Sequence, residues 1–137
     1  MIHLTLPWPP SVNTIWRTWK GRHLLSKAGR EYRQQVAGII ASQRVQGFGR
    51  REVKVHAVAY LPDRRRRDID NLGKAAYDAL QAARIFDDDC QVVDSHWIKG
   101  PVCRDNPRIE ISWRLHEQST TLAVRNSGRI QRLEELE

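Results

Sequence analysis

Five aspartates of this chain stand in two short groups, Asp68 with Asp70 and, further on, Asp87, Asp88 and Asp89. The first pair suits the start of a helix, where aspartate is a favoured cap and negative charge is stabilised by the helix dipole. A cap requires only one aspartate, so a structural and a functional role are equally open for this pair. The second group follows the end of the same predicted helix, where the dipole disfavours anions and the three carboxylates repel one another. A structural role alone does not account for that second group.

A turn that returns the chain beside this helix would bring Asp89 close to Asp68 and Asp70. Three converging carboxylates require a cation, and ligation by oxygen alone favours a hard ion such as Mg²⁺ or Mn²⁺. Because Mg²⁺ orients and acidifies bound water, the acids predict metal-assisted hydrolysis. Lys74 lies one helical turn after Asp70. It is either a surface lysine paired with Asp70 or Asp78, or a group that activates water or stabilises a pentacovalent phosphorane.

A run of arginines directly precedes the first acids and indicates what the site would bind. With 23 Lys and Arg against 16 Asp and Glu, the net charge is +7, and a pI near 10 indicates a polyanionic partner. Such a run on its own indicates only general affinity for nucleic acid. Its position places a bound phosphate backbone beside the predicted metal site. The run consists of Arg64, Arg65, Arg66 and Arg67.

Tryptophans near the N-terminus are interleaved with basic residues. Trp8, Trp16 and Trp19 are either core anchors or platforms on which unpaired bases stack where a duplex opens, and the sequence leaves both roles open. The residues of this segment that are predicted to contact nucleic acid are Trp16, Arg17, Lys20 and Arg22.

Hydrophobic periodicity predicts the elements that must position these residues. Residues 12–25 are predicted to form a loop or an irregular hairpin, Ser26 is the predicted cap of the first helix, and a loop is predicted from Gly100 to Pro107. The order β-α-β-α-β-β predicts one α+β domain, residues 1–115, with helices packed on a mixed sheet. The predicted elements are strands at 2–6, 52–60, 91–99 and 108–115 and helices at 27–44 and 71–84.

Other features of the sequence argue against several classes of protein. No apolar run approaches the roughly 20 residues that a membrane span needs, and the N-terminus does not resemble a signal peptide, which predicts a cytoplasmic protein without a membrane partner. Cys90 and Cys103 lack CxxC spacing, so we expect reduced structural thiols. Without a P-loop or GxGxxG motif, no nucleotide cofactor is expected. The polar tail, residues 116–137, is predicted to be disordered, to form a short helix, or to dock on a partner.

With these residues in view, the sequence resembles the RusA family of Holliday junction resolvases, small phage-derived endonucleases. The motifs "LPWPPSVN", "DRRRRDIDNLGKAAYDAL" and "DDDCQVVD" carry the resemblance, which covers about residues 1–115. It implies that Asp68, Asp70 and Asp89 bind the metal and that Lys74 is the catalytic lysine. It also implies a Mg²⁺-dependent homodimer that nicks a four-way junction symmetrically, on the 5′ side of a CC dinucleotide. A two-fold dimer would supply the two sites that symmetric cuts need.

Two features depart from the family pattern. Gly73 lies inside the predicted catalytic helix, where glycine costs about 1 kcal/mol relative to alanine and would loosen the placement of Lys74. The tail is also longer than usual for the family. Two other functions fit the same residues: a nuclease for flaps or replication forks, which differs only in the DNA shape that it cuts, and a non-catalytic DNA-binding module whose acids are caps and turn residues.

Overall fold

Alternating apolar side chains hold a four-stranded sheet at the centre of the computed structural model, which describes residues 1–116. In its strand at Val53–Leu61, every second side chain from Val53 to Ala59 is buried, as the predicted alternation requires. In chain order the elements are β1 (Ile2–Pro7), α1 (Val12–Ile15), β2 (Trp16–Trp19), β3 (Arg22–Leu25), α2 (Lys27–Ser42), β4 (Val53–Leu61), α3 (Ile69–Ala82), a 3₁₀ helix (Asp89–Gln91), β5 (Val92–Val102) and β6 (Arg108–Leu115).

The sheet has the strand order β1-β6-β4-β5, in which β5 is parallel to β4 and the other neighbours are antiparallel. The predicted α+β domain with a mixed sheet and two long helices is therefore confirmed. A parallel pair of strands requires a crossover connection, and α3 supplies it between β4 and β5. The two acid groups lie in the two connections of this crossover, one before α3 and one after it.

The caps of the two long helices explain where each begins. The side chain of Ser26 accepts a hydrogen bond from the backbone N–H of Gly29 at 3.1 Å, which confirms the predicted cap of α2. Helix α3 begins at Ile69, two residues before the predicted start, because Asp68 occupies the N-cap position. Beyond α3, Ile85 and Phe86 are fully buried and anchor the chain just before the second acid group.

The predicted order of six elements is incomplete, because residues 12–25 form a short helix and a true hairpin. Strands β2 and β3 pair through a turn at Lys20 and Gly21, whose φ values are 50° and 75°. Both Trp16 and Trp19 are exposed on this hairpin. The hairpin sequence therefore lacks the alternation of apolar and polar residues that predicts a half-buried strand.

The predicted loop from Gly100 starts too early, since β5 continues to Val102. A Cβ at Gly100 would lie 2.9 Å from Cγ1 of Val58 and 3.1 Å from the carbonyl oxygen of Ala59, so only glycine fits this close approach of β5 to β4. Pro101 is tolerated because β5 is an edge strand.

Within residues 1–116, no helix is long and apolar enough to cross a membrane. Cys90 and Cys103 are both free thiols. The predicted tail lies, apart from His116, outside the described residues.

Candidate active site

The loop before α3 is fixed by one of the arginines and by Asp63. Nη1 of Arg67 donates to Oδ1 of Asp63 at 2.6 Å, and the guanidinium carbon lies 5.6 Å from the centre of the Trp8 ring. The backbone N–H of Arg65 donates to the same carboxylate at 2.9 Å. The hydrogen bond from Arg67, followed by that from Arg65, lowers the pKa of Asp63 to about 2. Asp63 therefore stays ionised, and Arg67 supports the loop instead of being freely presented.

The other three arginines, Arg64, Arg65 and Arg66, are exposed beside the N-terminus of α3. On β5, the ammonium of Lys99 donates to the backbone carbonyl of Arg67 and adds a further cation to this surface. The carboxylate of Asp68 caps α3 by accepting the backbone N–H of Asp70 at 3.0 Å. The first acid thus lies at the edge of a surface suited to a phosphate backbone.

Asp70 and Lys74 line a shared cleft of about 550 Å³ between α3 and β5. Within the described residues Lys74 has no ion pair, so the interpretation of this lysine as a partner of Asp70 or Asp78 is wrong. Asp78 instead receives three hydrogen bonds from Arg33 of α2: Nε donates to Oδ2 at 3.0 Å, and Nη2 donates to Oδ2 at 2.8 Å and to Oδ1 at 3.0 Å. The ammonium of Lys74 is therefore available to a bound phosphate.

A polar chain joins α3 to β5 behind this cleft. Nε1 of Trp97 donates to the hydroxyl of Tyr77 at 2.9 Å, and that hydroxyl lies 2.6 Å from Oγ of Ser95. The Trp97 ring also covers Gly73, where a Cβ would lie at an ordinary contact distance of 3.7 Å from Cε2. Gly73 is buried beneath this ring, so the helix next to Lys74 is supported there rather than loosened.

A second cleft, of about 220 Å³, brings Lys74 and Asp89 together with Asp78, Trp16 and Gln81. Oε1 of Gln81 accepts the backbone N–H of Asp89 at 3.2 Å and so ties the second acid group to the end of α3. Lys74 therefore lines both clefts, with Asp70 in one and with Asp89 in the other.

The electrostatics of Asp89 make it receptive to a cation. Partial burial raises the pKa of Asp89, and the hydrogen bond to Asp88 and the charges of Asp88 and Asp78 add to this effect. A positive ion near the carboxylate would relieve this repulsion.

The second acid group, Asp87 to Asp89, forms a turn that we call the acid turn. It is organised by Gln91, a buried polar residue that the sequence patterns did not single out. Oε1 of Gln91 accepts the backbone N–H groups of Asp87 and Asp88, each at 2.9 Å. Its Nε2 donates to the carbonyl oxygens of Gly49 at 2.6 Å and Arg51 at 2.9 Å. Asp88 and Gln91 form a capping box around the 3₁₀ helix, and an acid followed three residues later by glutamine is the sequence signal for it.

Replacing Gln91 by alanine should destabilise the domain and displace Asp89. The change removes four hydrogen bonds and leaves two N–H and two carbonyl groups without these partners. We expect a loss of about 3 kcal/mol in the free energy of unfolding, because buried polar groups without partners cost about 1–3 kcal/mol each and water recovers part of this. Urea unfolding followed by circular dichroism measures it.

Gln35→Ala is the matched control, since Gln35 is exposed on α2 and its truncation should change stability by less than about 0.5 kcal/mol. Equal stability of the two variants would show that Gln91 does not organise the acid turn.

Two of the three aspartates in the acid turn have structural partners, which corrects the expectation that stability gives no reason for them. Asp87 forms an ion pair with Arg50 at 3.5 Å, and Asp88 caps the 3₁₀ helix by accepting the backbone N–H of Cys90 at 3.1 Å. Asp89 is the member of this group that lines the smaller cleft together with Lys74.

The acids that could hold a metal are the ones left without a basic partner. Within residues 1–116, Asp63, Asp78 and Asp87 are each paired with an arginine. The same part of the chain gives no ion pair to Asp68, Asp70 or Asp89. A set of uncompensated carboxylates fits a hard divalent ion in chemistry.

These three acids do not converge within one chain. Asp68 and Asp70 lie at the start of α3, whereas the acid turn follows its end, and the 14 residues of α3 span about 21 Å at 1.5 Å per residue. In the described residues no three acidic, histidine or cysteine side chains are grouped closely enough to hold a metal ion. The return of Asp89 to the start of the helix, expected from the sequence, is not found within a single chain.

The hairpin separates the tryptophans into two kinds. Trp16 and Trp19 are 42% and 56% exposed, and the ammonium of Lys20 lies 4.4 Å from the Trp19 ring centre. Arg22 is exposed on the same hairpin, whereas the side chain of Arg17 lies outside the described part of the structure. Trp8, in contrast, is half-buried and packs against the core. The hairpin tryptophans are therefore not core anchors.

Comparison with known proteins gives consistent matches. The family model described as "Endodeoxyribonuclease RusA" matches residues 7–114. The chain is 44% identical over 110 residues to the crossover junction endodeoxyribonuclease of Enterobacteria phage 82, covering 80% of this chain and 91% of that protein. It is 45% identical over 109 residues to the protein of the same name from Escherichia coli K12, covering 80% and 90%. The Shigella sonnei protein is 44% identical over 109 residues, with the same coverage.

Proposed function

The chain belongs to the RusA family of endodeoxyribonucleases, and on this premise we propose that it resolves Holliday junctions by paired, Mg²⁺-dependent nicks. The relatives are named as nucleases of crossover junctions. One observation carries the proposal for this chain: Lys74, which has no ion pair in residues 1–116, lines one cleft with Asp70 and another with Asp89, and neither of these acids has a basic partner there. Its role would be in DNA recombination and repair in the cytoplasm.

Each group has a defined task in this proposal. Asp68, Asp70 and Asp89 would hold the divalent ion, which when bound supplies a Lewis acid and an acidified water. Lys74 stabilises the negative charge that develops on the phosphate. The exposed arginines 64–66 hold the DNA backbone so that the scissile phosphate lies beside Asp68.

We further propose that the protein acts as a homodimer in which each metal site is shared. Because no three acidic, histidine or cysteine side chains are grouped for a metal ion within residues 1–116, we infer that three carboxylates meet where the acid turn of one chain approaches the start of α3 in its partner. A two-fold axis would create two such sites at once, as paired cuts require.

Nicking of a labelled four-way junction, compared with a linear duplex of the same sequence, tests the function. We expect paired nicks in the junction with Mg²⁺ or Mn²⁺ and none with EDTA, while junction binding persists in EDTA because the arginines do not depend on the metal. Cleavage of the duplex at the same rate would contradict junction selectivity.

Two further substrates separate the alternative functions. A flap and a replication fork, each cut faster than the junction, would identify the protein as a nuclease for those structures. Binding that never leads to cleavage with any divalent ion would favour a non-catalytic module.

A further inference from the structure

A further cleft, of about 530 Å³, is lined by Asp68, Arg65 and Arg66 of the proposed site and by residues to which that proposal gives no task. Its volume lies within the range of about 300–1,000 Å³ that is typical of small-molecule sites. Its lining combines apolar residues, among them Trp8, Pro10, Pro62 and Leu72, with polar ones. A flat apolar group of the DNA would find an indole ring and proline rings to contact here, next to the first acid.

The cleft is held in shape before any ligand enters. Prolines at positions 9, 10 and 62 fix the backbone on two sides. The guanidinium of Arg67 lies over the Trp8 ring and is anchored by Asp63. A site whose walls are already ordered loses little conformational freedom when it binds.

The cleft is also lined by polar residues. Asn71 follows the acid pair directly and lines the cleft, and its side-chain amide has no hydrogen bond within residues 1–116. A carboxamide offers a donor and an acceptor side by side, which suits the edge of a nucleobase. Arg65 and Arg66 line the same cleft and would contact the phosphates on either side of that base.

We propose that this cleft receives one unstacked nucleobase of the strand that is cut, adjacent to the phosphate at Asp68. A base presents two apolar faces and a polar edge, and the cleft offers both apolar and polar lining residues to contact them. In a linear duplex the base is stacked and paired, whereas at a junction or another opened structure it can leave the stack. The inference rests on the proposed function and adds a physical source of selectivity for opened DNA.

The first test removes the base instead of the protein group. Each nucleotide flanking the scissile phosphate of the junction is replaced in turn by an abasic analogue, and kcat/KM is measured for wild type, Trp8→Leu and Trp8→Phe. At one position we expect wild type to lose about 10- to 100-fold, as for the loss of one base–aromatic stack. For Trp8→Phe, the abasic analogue should reduce kcat/KM by a similar factor. Trp8→Leu should cut the intact junction slowly, and the abasic analogue should reduce its kcat/KM little further, because the stack is already lost.

The second test reads occupancy without cleavage. A junction carrying 2-aminopurine at the same position is bound in EDTA. Its fluorescence is low while the base is stacked in the DNA, and it should rise on binding Trp8→Leu but stay quenched with wild type and Trp8→Phe, whose aromatic ring stacks on the base. An abasic effect that is absent at every flanking position, or that persists in full in Trp8→Leu, would overturn the proposal, as would quenching that is equal in all three proteins. Trp8-dependent quenching by a protein that never cuts would refute the nuclease function and leave the base site standing.

Discussion

Asp70→Asn should abolish cleavage of a four-way junction while leaving its binding nearly unchanged. Asp70 is exposed in the first turn of α3, has no ion pair in residues 1–116, and shares a cleft with Lys74. Loss of a metal-binding carboxylate should reduce the rate by more than about 100-fold, beyond the 10- to 100-fold typical of a group that only supports a ligand. Single-turnover nicking with Mg²⁺ and a gel-shift assay in EDTA measure the two effects.

The structure separates this result from a loss of fold. The cap of α3 is Asp68, so asparagine at position 70 gives up only the interaction of one charge with the helix dipole, about 0.3–1 kcal/mol. Asp105→Asn is a matched control, because Asp105 is exposed in the turn before β6. Full cleavage by Asp70→Asn, or an equal loss in Asp105→Asn, would rule out Asp70 as a metal ligand.

The sequence predicted best where burial alone decides the pattern. Val53 to Ala59 alternate because one face of β4 packs on the core, and the first residues of α2 follow from the cap at Ser26. The hairpin lacked this signal, since Trp16 and Trp19 face solvent. The hairpin follows a close approach between residues that are distant in sequence. The backbone at Ile15 lies so near Gly29 of α2 that a Cβ at Gly29 would lie 2.9 Å from the carbonyl oxygen of Ile15.

The candidate site shows the same division. The spacing of Asp70 and Lys74 on one helix face is local and could be read from the chain, and both residues line one cleft. The pairing of Arg33 with Asp78 joins residues 45 positions apart and has no local signature. It removes Asp78 as a partner of Lys74, which sequence spacing alone had left open. The convergence of Asp89 with the first acids was also a long-range expectation, and no such group of three acids is found within residues 1–116.

Mixing two inactive variants should therefore restore cleavage if the site is shared between chains. In a heterodimer of Asp70→Asn with Asp89→Asn, one shared site carries both substitutions, and the other combines an intact Asp70 with the partner's intact Asp89. If each chain used its own acids, both sites would carry one substitution. Only the shared arrangement leaves an intact site, so we expect the mixture to nick one strand per junction.

The measurement uses chains unfolded together and refolded, so that subunits exchange, with nicking assayed in Mg²⁺. In a random mixture about half of the dimers are heterodimers, and each of these has one intact site where a wild-type dimer has two. The expected initial rate is therefore about one quarter of that of wild type. Each variant refolded alone is the control for residual activity.

A mixture as inactive as its components, in a preparation whose mass is twice the 15.9 kDa of one chain, would exclude the shared site. A mass of one chain would exclude the dimer itself. Recovery of activity would show that the acids before and after α3 work across the dimer, each with a carboxylate of the partner chain.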